Sequence, residues 1–105
     1  MALMQITVIP MGTDGVSVGE YVADVQLALE NEDVSYQLTD MGTIVEGDKE
    51  GLLALAAKIS ELPFAKGVQR VVTQIVLDDR RDRKVTLGEK TASVHARLKS
   101  YRELS

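Results

Sequence analysis

Few residue types in this chain can do chemistry. It has no Cys and one His in 105 residues, which rules out disulfides, thiolate metal sites, a Cys nucleophile and a His–His pair within one chain. No metal and no cofactor is expected. What remains are small hydroxyls and carboxylates at suggestive places: Thr7, Ser17, Gly42-Thr43 with Glu46 close behind, and Thr73. A hydroxyl both donates and accepts a hydrogen bond, and an ionised carboxylate accepts one or meets a cation. Each also has a plain structural reading. Ser17 with Glu20 has capping-box spacing at a helix start. Gly42 and Thr43 shape a hairpin, and Thr73 can satisfy its hydroxyl on backbone. Thr7 can belong to a subunit interface, and Glu46 can be a solvated charge at a strand end.

The run Asp78-Asp79-Arg80-Arg81-Asp82-Arg83-Lys84 invites a Mg²⁺ or phosphate reading. Neighbours on a strand point to opposite faces, however, so Asp78 and Asp79 would not converge. Mixed signs in one run more often make exposed salt bridges, worth about 0–1 kcal/mol each. Gly12-Thr13-Asp14-Gly15 lacks the Lys and spacing of a phosphate loop. His95 follows the apolar Val94 with no orienting carboxylate in view, so no general-base role is assigned to it.

The elements that must position these residues follow from periodicity. Met4, Ile6 and Val8 alternate with Gln5 and Thr7, a strand pattern over 3–9. A helix runs from Ser17 to about Asn31 with Val18, Val22, Val25 and Leu29 as its stripe, while Ala23 and Leu27 lie off it. Residues 35–39 and 43–46 read as a hairpin turning at Asp40-Met41-Gly42, with Gly42 at positive φ. A second helix begins near Asp48, capped by that carboxylate, buries Leu52, Leu55, Ala56, Ile59 and Leu62, and ends at Pro63. The strand at 69–77 points Val71, Thr73, Ile75 and Leu77 one way. A last helix covers about Glu89 to Tyr101, with Val94, Leu98 and Tyr101 as its apolar side. The order predicts a single α+β domain over 1–105: a ferredoxin-like βαββαβ unit, two helices on one face of a four-stranded antiparallel sheet, and a C-terminal helix.

Composition narrows the partners. Lys plus Arg is 12 against 16 Asp plus Glu, a net charge of −4, which argues against a nucleic-acid backbone. The apolar start to Met11 lacks a basic leader and falls well short of the roughly 20 residues a membrane span needs. No membrane association and a cytoplasmic location are therefore expected. The fold leaves one sheet face without helices, and Leu3, Ile9, Val72 and Val76 are placed there. Apolar patches of that kind are unusual on soluble monomers, so sheet-to-sheet packing between copies is expected, giving a homo-oligomer, dimer or tetramer.

Three blocks stand in register: Ile9-Pro10-Met11-Gly12 with Ser17-Val18 and Tyr21-Val22, then Met41-Gly42-Thr43 with Glu46-Gly47, then Gly67-Val68-Gln69-Arg70-Val71 with Thr73 and Asp78-Asp79-Arg80-Arg81-Asp82. Together they resemble the YkoF-like thiamine- and hydroxymethylpyrimidine-binding family. Asp40, Gly19 and Ser60 stand where that family often has Pro, Ser and His. The resemblance implies a ferredoxin-like subunit in dimers or tetramers that binds thiamine or its hydroxymethylpyrimidine part without catalysis, as a carrier or sensor. Thiamine joins an aminopyrimidine, which needs a few directional hydrogen bonds, to a cationic thiazolium. Thr43 and Glu46 are the first candidates to serve the two, with Ser17, Thr7, Thr73 and Gly42 behind them and Tyr21 or Tyr36 to stack. Two alternatives stand beside this reading. One is an enzyme acting on a small substrate at a subunit boundary through Glu46 or Asp78; the other is an assembly or regulatory module with no ligand.

Overall fold

The computed structural model describes residues 1–12 and 18–104. Within them the chain runs β1 (Ala2–Met11), α1 (Val18–Glu30), β2 (Ser35–Thr39), β3 (Gly42–Gly47), α2 (Lys49–Ala65), β4 (Arg70–Asp79) and α3 (Glu89–Leu104). The strands form one antiparallel sheet in the order β2-β3-β1-β4. That α+β arrangement is the one expected from the element order. No helix among the described residues is long and apolar enough to cross a membrane.

Strand parity decides what each residue meets. Met4 pairs with Val45 and Leu77, and Ile6 with Thr43 and Ile75, so these side chains share one face. There Ala2, Met4, Ile6 and Val45 join Val25 and Leu29 of α1 and Leu52, Leu55, Ala56 and Ile59 of α2 in the core. Each fully buried large aliphatic contributes about 1.5–3 kcal/mol. The opposite face carries Leu3, Gln5, Thr7, Ile9 and Met11, with Ile44, Glu46, Val72, Gln74, Val76 and Asp78 across from them. Among the described residues no helix packs on it, as expected.

Four details differ from the sequence reading. In α1, Tyr21 takes the buried place in line with Val25 and Leu29, and Val18 stays exposed. Asp48 occupies the N-cap position of α2, yet its side chain makes no capping hydrogen bond. Its backbone carbonyl instead accepts from the Leu52 N–H. Pro63 does not end α2; the helix continues to Ala65. Pro lacks a donor but keeps its carbonyl, and that oxygen accepts from the Lys66 and Val68 N–H groups, so the last turn closes around it.

The largest difference concerns α3. Val94, Leu98 and Tyr101 do form a stripe, but no described residue of this helix is buried. The segment before it is held firmly. Leu87 N–H donates to Glu46 Oε1 at 3.0 Å, Lys90 pairs with Asp78 at 3.0 Å and Arg83 with Glu89 at 3.1 Å. Val85 is buried outside the main core. Since Glu46 and Asp78 flank Leu3 on the helix-free face, this segment closes over that end of the sheet and leaves the Ile9 end open. From there α3 projects: the radius of gyration is 16.5 Å and the extents are 56 × 31 × 21 Å, against about 13 Å for a compact chain of this length.

Candidate functional site

The hairpin β2–β3 builds the site, and two threonines brace its turn. Thr39 Oγ1 donates to the Gly42 carbonyl at 2.8 Å and accepts from the Met41 N–H at 3.3 Å. From β1, Thr7 Oγ1 donates to the Met41 carbonyl at 3.1 Å. Gly42 has φ +151°, and a Cβ there would lie 2.7 Å from Thr7 Oγ1 and 3.1 Å from the Ile6 carbonyl oxygen. Only glycine lets the turn approach β1 this closely.

Behind the turn lies a cavity of about 220 Å³ between β1, the hairpin and the start of α1. Ile6, Val8, Pro10, Val18, Val22, Val25 and Leu38 make its wall apolar, while Thr43 and Asp40 are among its polar lining groups. Thr43 is 4% exposed, and its Oγ1 accepts a hydrogen bond from Gln26 Nε2 at 3.0 Å. Accepting that bond fixes one side of the hydroxyl and leaves its proton to be offered to a guest. Asp40 sits at the exposed turn, at the cavity mouth.

The candidates from the sequence divide accordingly. Thr43 and Gly42 come together at the cavity, and Thr7 lines it from β1 while its hydroxyl, on the helix-free face, holds the Met41 carbonyl of the turn. Glu46 does not join them: an odd number of strand positions separates it from Thr43, so its side chain leaves on the opposite face and ties down Leu87. Thr73 is helix-facing, paired with Val8, and is not among the cavity's lining residues. Tyr36 packs against the core. Tyr21 is buried with Lys66 5.5 Å above its ring, and Lys66 is held by Asp24 at 2.6 Å. Ser17, and with it the capping box, lies outside the described residues. His95 is exposed on α3. Gln26 and Asp40 were missed. Gln26 interrupts the sheet-facing side of α1 next to Val25, and a polar residue in such a place needs a partner; that was the available signal.

The acidic and basic run after β4 is a set of ion pairs. Asp78 and Asp79 fall on opposite faces, the first paired with Lys90 and the second with Arg81 at 3.0 Å. Arg80 grips Asp82 with two bonds of 2.6 and 2.7 Å. That fork holds the Asp82 carboxyl down at about 2. A carboxylate lowered on folding supports the native state above its ordinary range, and this support fades as pH falls toward the folded value. In Arg80→Ala, the Asp82 midpoint followed by NMR should return to the usual carboxylate range. Both groups are exposed, so solvent screening keeps that support small and the melting temperature between pH 5 and 7 should fall only slightly.

The match to known proteins decides the family. The family model described as thiamine-binding protein matches residues 4–95. The chain belongs to that family. Among its relatives, UPF0045 protein YqgV of Bacillus subtilis is 48% identical over 102 residues, covering 93% of this chain and 98% of YqgV. Among solved structures, hypothetical protein MJ1052 of Methanocaldococcus jannaschii superposes with a TM-score of 0.78 at 26% identity, over 90% of this chain and 95% of that one. A Thermotoga maritima protein provisionally assigned to thiamine biosynthesis or salvage, TM0486, gives a TM-score of 0.74 at 20% identity, over 89% and 97%. At that identity the likeness speaks for the fold alone, and family membership is what links the chain to thiamine.

Proposed function

We propose that this chain is a non-catalytic binding protein for thiamine or its hydroxymethylpyrimidine part, serving as a carrier or sensor. The observation that carries this reading is an apolar cavity with one oriented hydroxyl inside it, Thr43 set by Gln26. Its volume of about 220 Å³ exceeds the roughly 150 Å³ that admits benzene, and falls below the roughly 300 Å³ at which drug-sized pockets begin. One substituted ring fits inside. A pyrimidine therefore enters first, with a ring nitrogen accepting from the Thr43 hydroxyl. The thiazolium then rests at the mouth, where the Asp40 carboxylate meets its charge. A second copy covering the helix-free face, and a cytoplasmic location, complete the reading.

Isothermal titration with thiamine and with hydroxymethylpyrimidine tests it. Heat with both ligands is the expected result; no heat and no thermal shift at millimolar ligand would retire the proposal. Asp40→Asn should weaken thiamine a few-fold, less so at high salt, and leave the neutral pyrimidine unchanged, because the exposed carboxylate acts on the cation alone. Equal loss for both ligands would place the pyrimidine at the mouth instead.

A further inference from the structure

Leu27 stands off the buried stripe of α1 and is 58% exposed. One exposed leucine needs no explanation, but this one has apolar company. With Ala28 it faces Leu62 and Ala65 of α2 across an open groove of about 340 Å³. On α1 the groove is lined by Asp24, Leu27, Ala28 and Asn31, which recur at i, i+3, i+4 and i+7. It therefore follows one side of that helix for two turns, about 10 Å.

The two banks say what kind of molecule would lie there. Both are helices, which spend their backbone N–H and C=O groups internally. An extended segment laid between them would leave its own backbone groups unpaired, whereas a helix arrives with them satisfied. Apolar side chains at i and i+3 or i+4 of such a helix suit a groove of this form. Charge narrows the occupant further. From Val18 to Val34 the chain has five acidic residues and no basic one, although the whole chain carries only −4. On the α2 side, Lys58 and Lys66 are already bound to Glu32 at 2.8 Å and to Asp24 at 2.6 Å. Glu30, three residues past Leu27, and Glu61, four before Ala65, are exposed and border the groove on either bank. Two copies meeting groove to groove would set acid against acid. A helix with Lys or Arg beside its apolar stripe is attracted instead.

We propose that the groove between α1 and α2 docks a basic amphipathic helix of another protein, with Leu27 as the apolar anchor and Glu30 and Glu61 as the charged rim. The inference goes beyond ligand binding and stands without it, because groove and cavity share no lining residue.

A labelled synthetic helix of leucine and lysine, with leucines at i, i+3, i+4 and i+7, tests it by fluorescence anisotropy. A permuted peptide of the same composition is the comparison. The expected result is saturable binding of the amphipathic peptide, about ten-fold tighter than that of the permuted one and weaker as salt rises. Two variants then share one change of charge. Leu27→Lys removes the anchor, while Leu53→Lys alters an α2 residue that is 45% exposed and outside the groove. Neither side chain belongs to the core, so both variants should keep the wild-type melting temperature. Leu27→Lys should lose about ten-fold or more in affinity for the peptide, and Leu53→Lys about two-fold at most. Equal losses would mean that the peptide reads net charge alone and would overturn the proposal, as would a wild type that binds neither peptide. Sedimentation equilibrium should give Leu27→Lys the same mass as wild type; a lower mass would make the groove a contact between copies and refute the docked helix.

Discussion

Thr43→Val is expected to weaken pyrimidine and thiamine binding by about 10- to 100-fold, or about 1.4–2.8 kcal/mol. The substitution keeps the shape of the side chain and removes the one hydroxyl that Gln26 orients within the cavity. It also leaves Gln26 Nε2 without its acceptor, which should lower stability by about 1 kcal/mol. Adding Gln26→Leu tests the assignment, because replacing both members of a hydrogen-bonded pair by apolar groups can be nearly neutral. The double variant should regain stability in urea unfolding and keep the weakened binding of Thr43→Val. Wild-type affinity in Thr43→Val would show that the cavity hydroxyl does not touch the ligand.

Gly42→Val should be the most damaging single change at the site, at a cost on the order of 2–4 kcal/mol from backbone strain and overpacking together. Its φ of +151° is one that side chains rarely adopt, and the added Cβ meets Thr7 Oγ1 at 2.7 Å and the Ile6 carbonyl at 3.1 Å. Part of this cost can be separated. In a Thr7→Ala background the hydroxyl is gone, so the Gly42 substitution should cost less there than in wild type by about 1 kcal/mol, read from denaturant midpoints. Strictly additive costs would mean that the turn moves aside rather than colliding with β1.

Much of this was legible in the residues because strand parity is strict. The alternation from Leu3 to Ile9 assigned both faces of β1, and the partners of Met4 and Ile6 on β3 and β4 confirm the assignment. The same rule explains a limit on the candidate site. Thr43 and Glu46 look adjacent along the chain, yet parity sends them to opposite sides of the sheet. Local preference makes Pro63 a helix stop; the buried Pro63 and the two hydrogen bonds to its carbonyl outweigh that preference. Gln26 and Asp40 were missed for different reasons. Gln26 matters through a partner far away in the chain, whereas the turn at Asp40 already accounts for a polar residue there. In α3 the stripe was visible, but a stripe names a side of a helix and not what that side rests on.

The projecting helix also affects how the molecule behaves in a column. A radius of gyration of 16.5 Å is what a spherical protein of about 200 residues would have, nearly twice the actual length. A lone chain would therefore elute early, as if it were two, and only a technique that weighs particles rather than sizing them can count its copies.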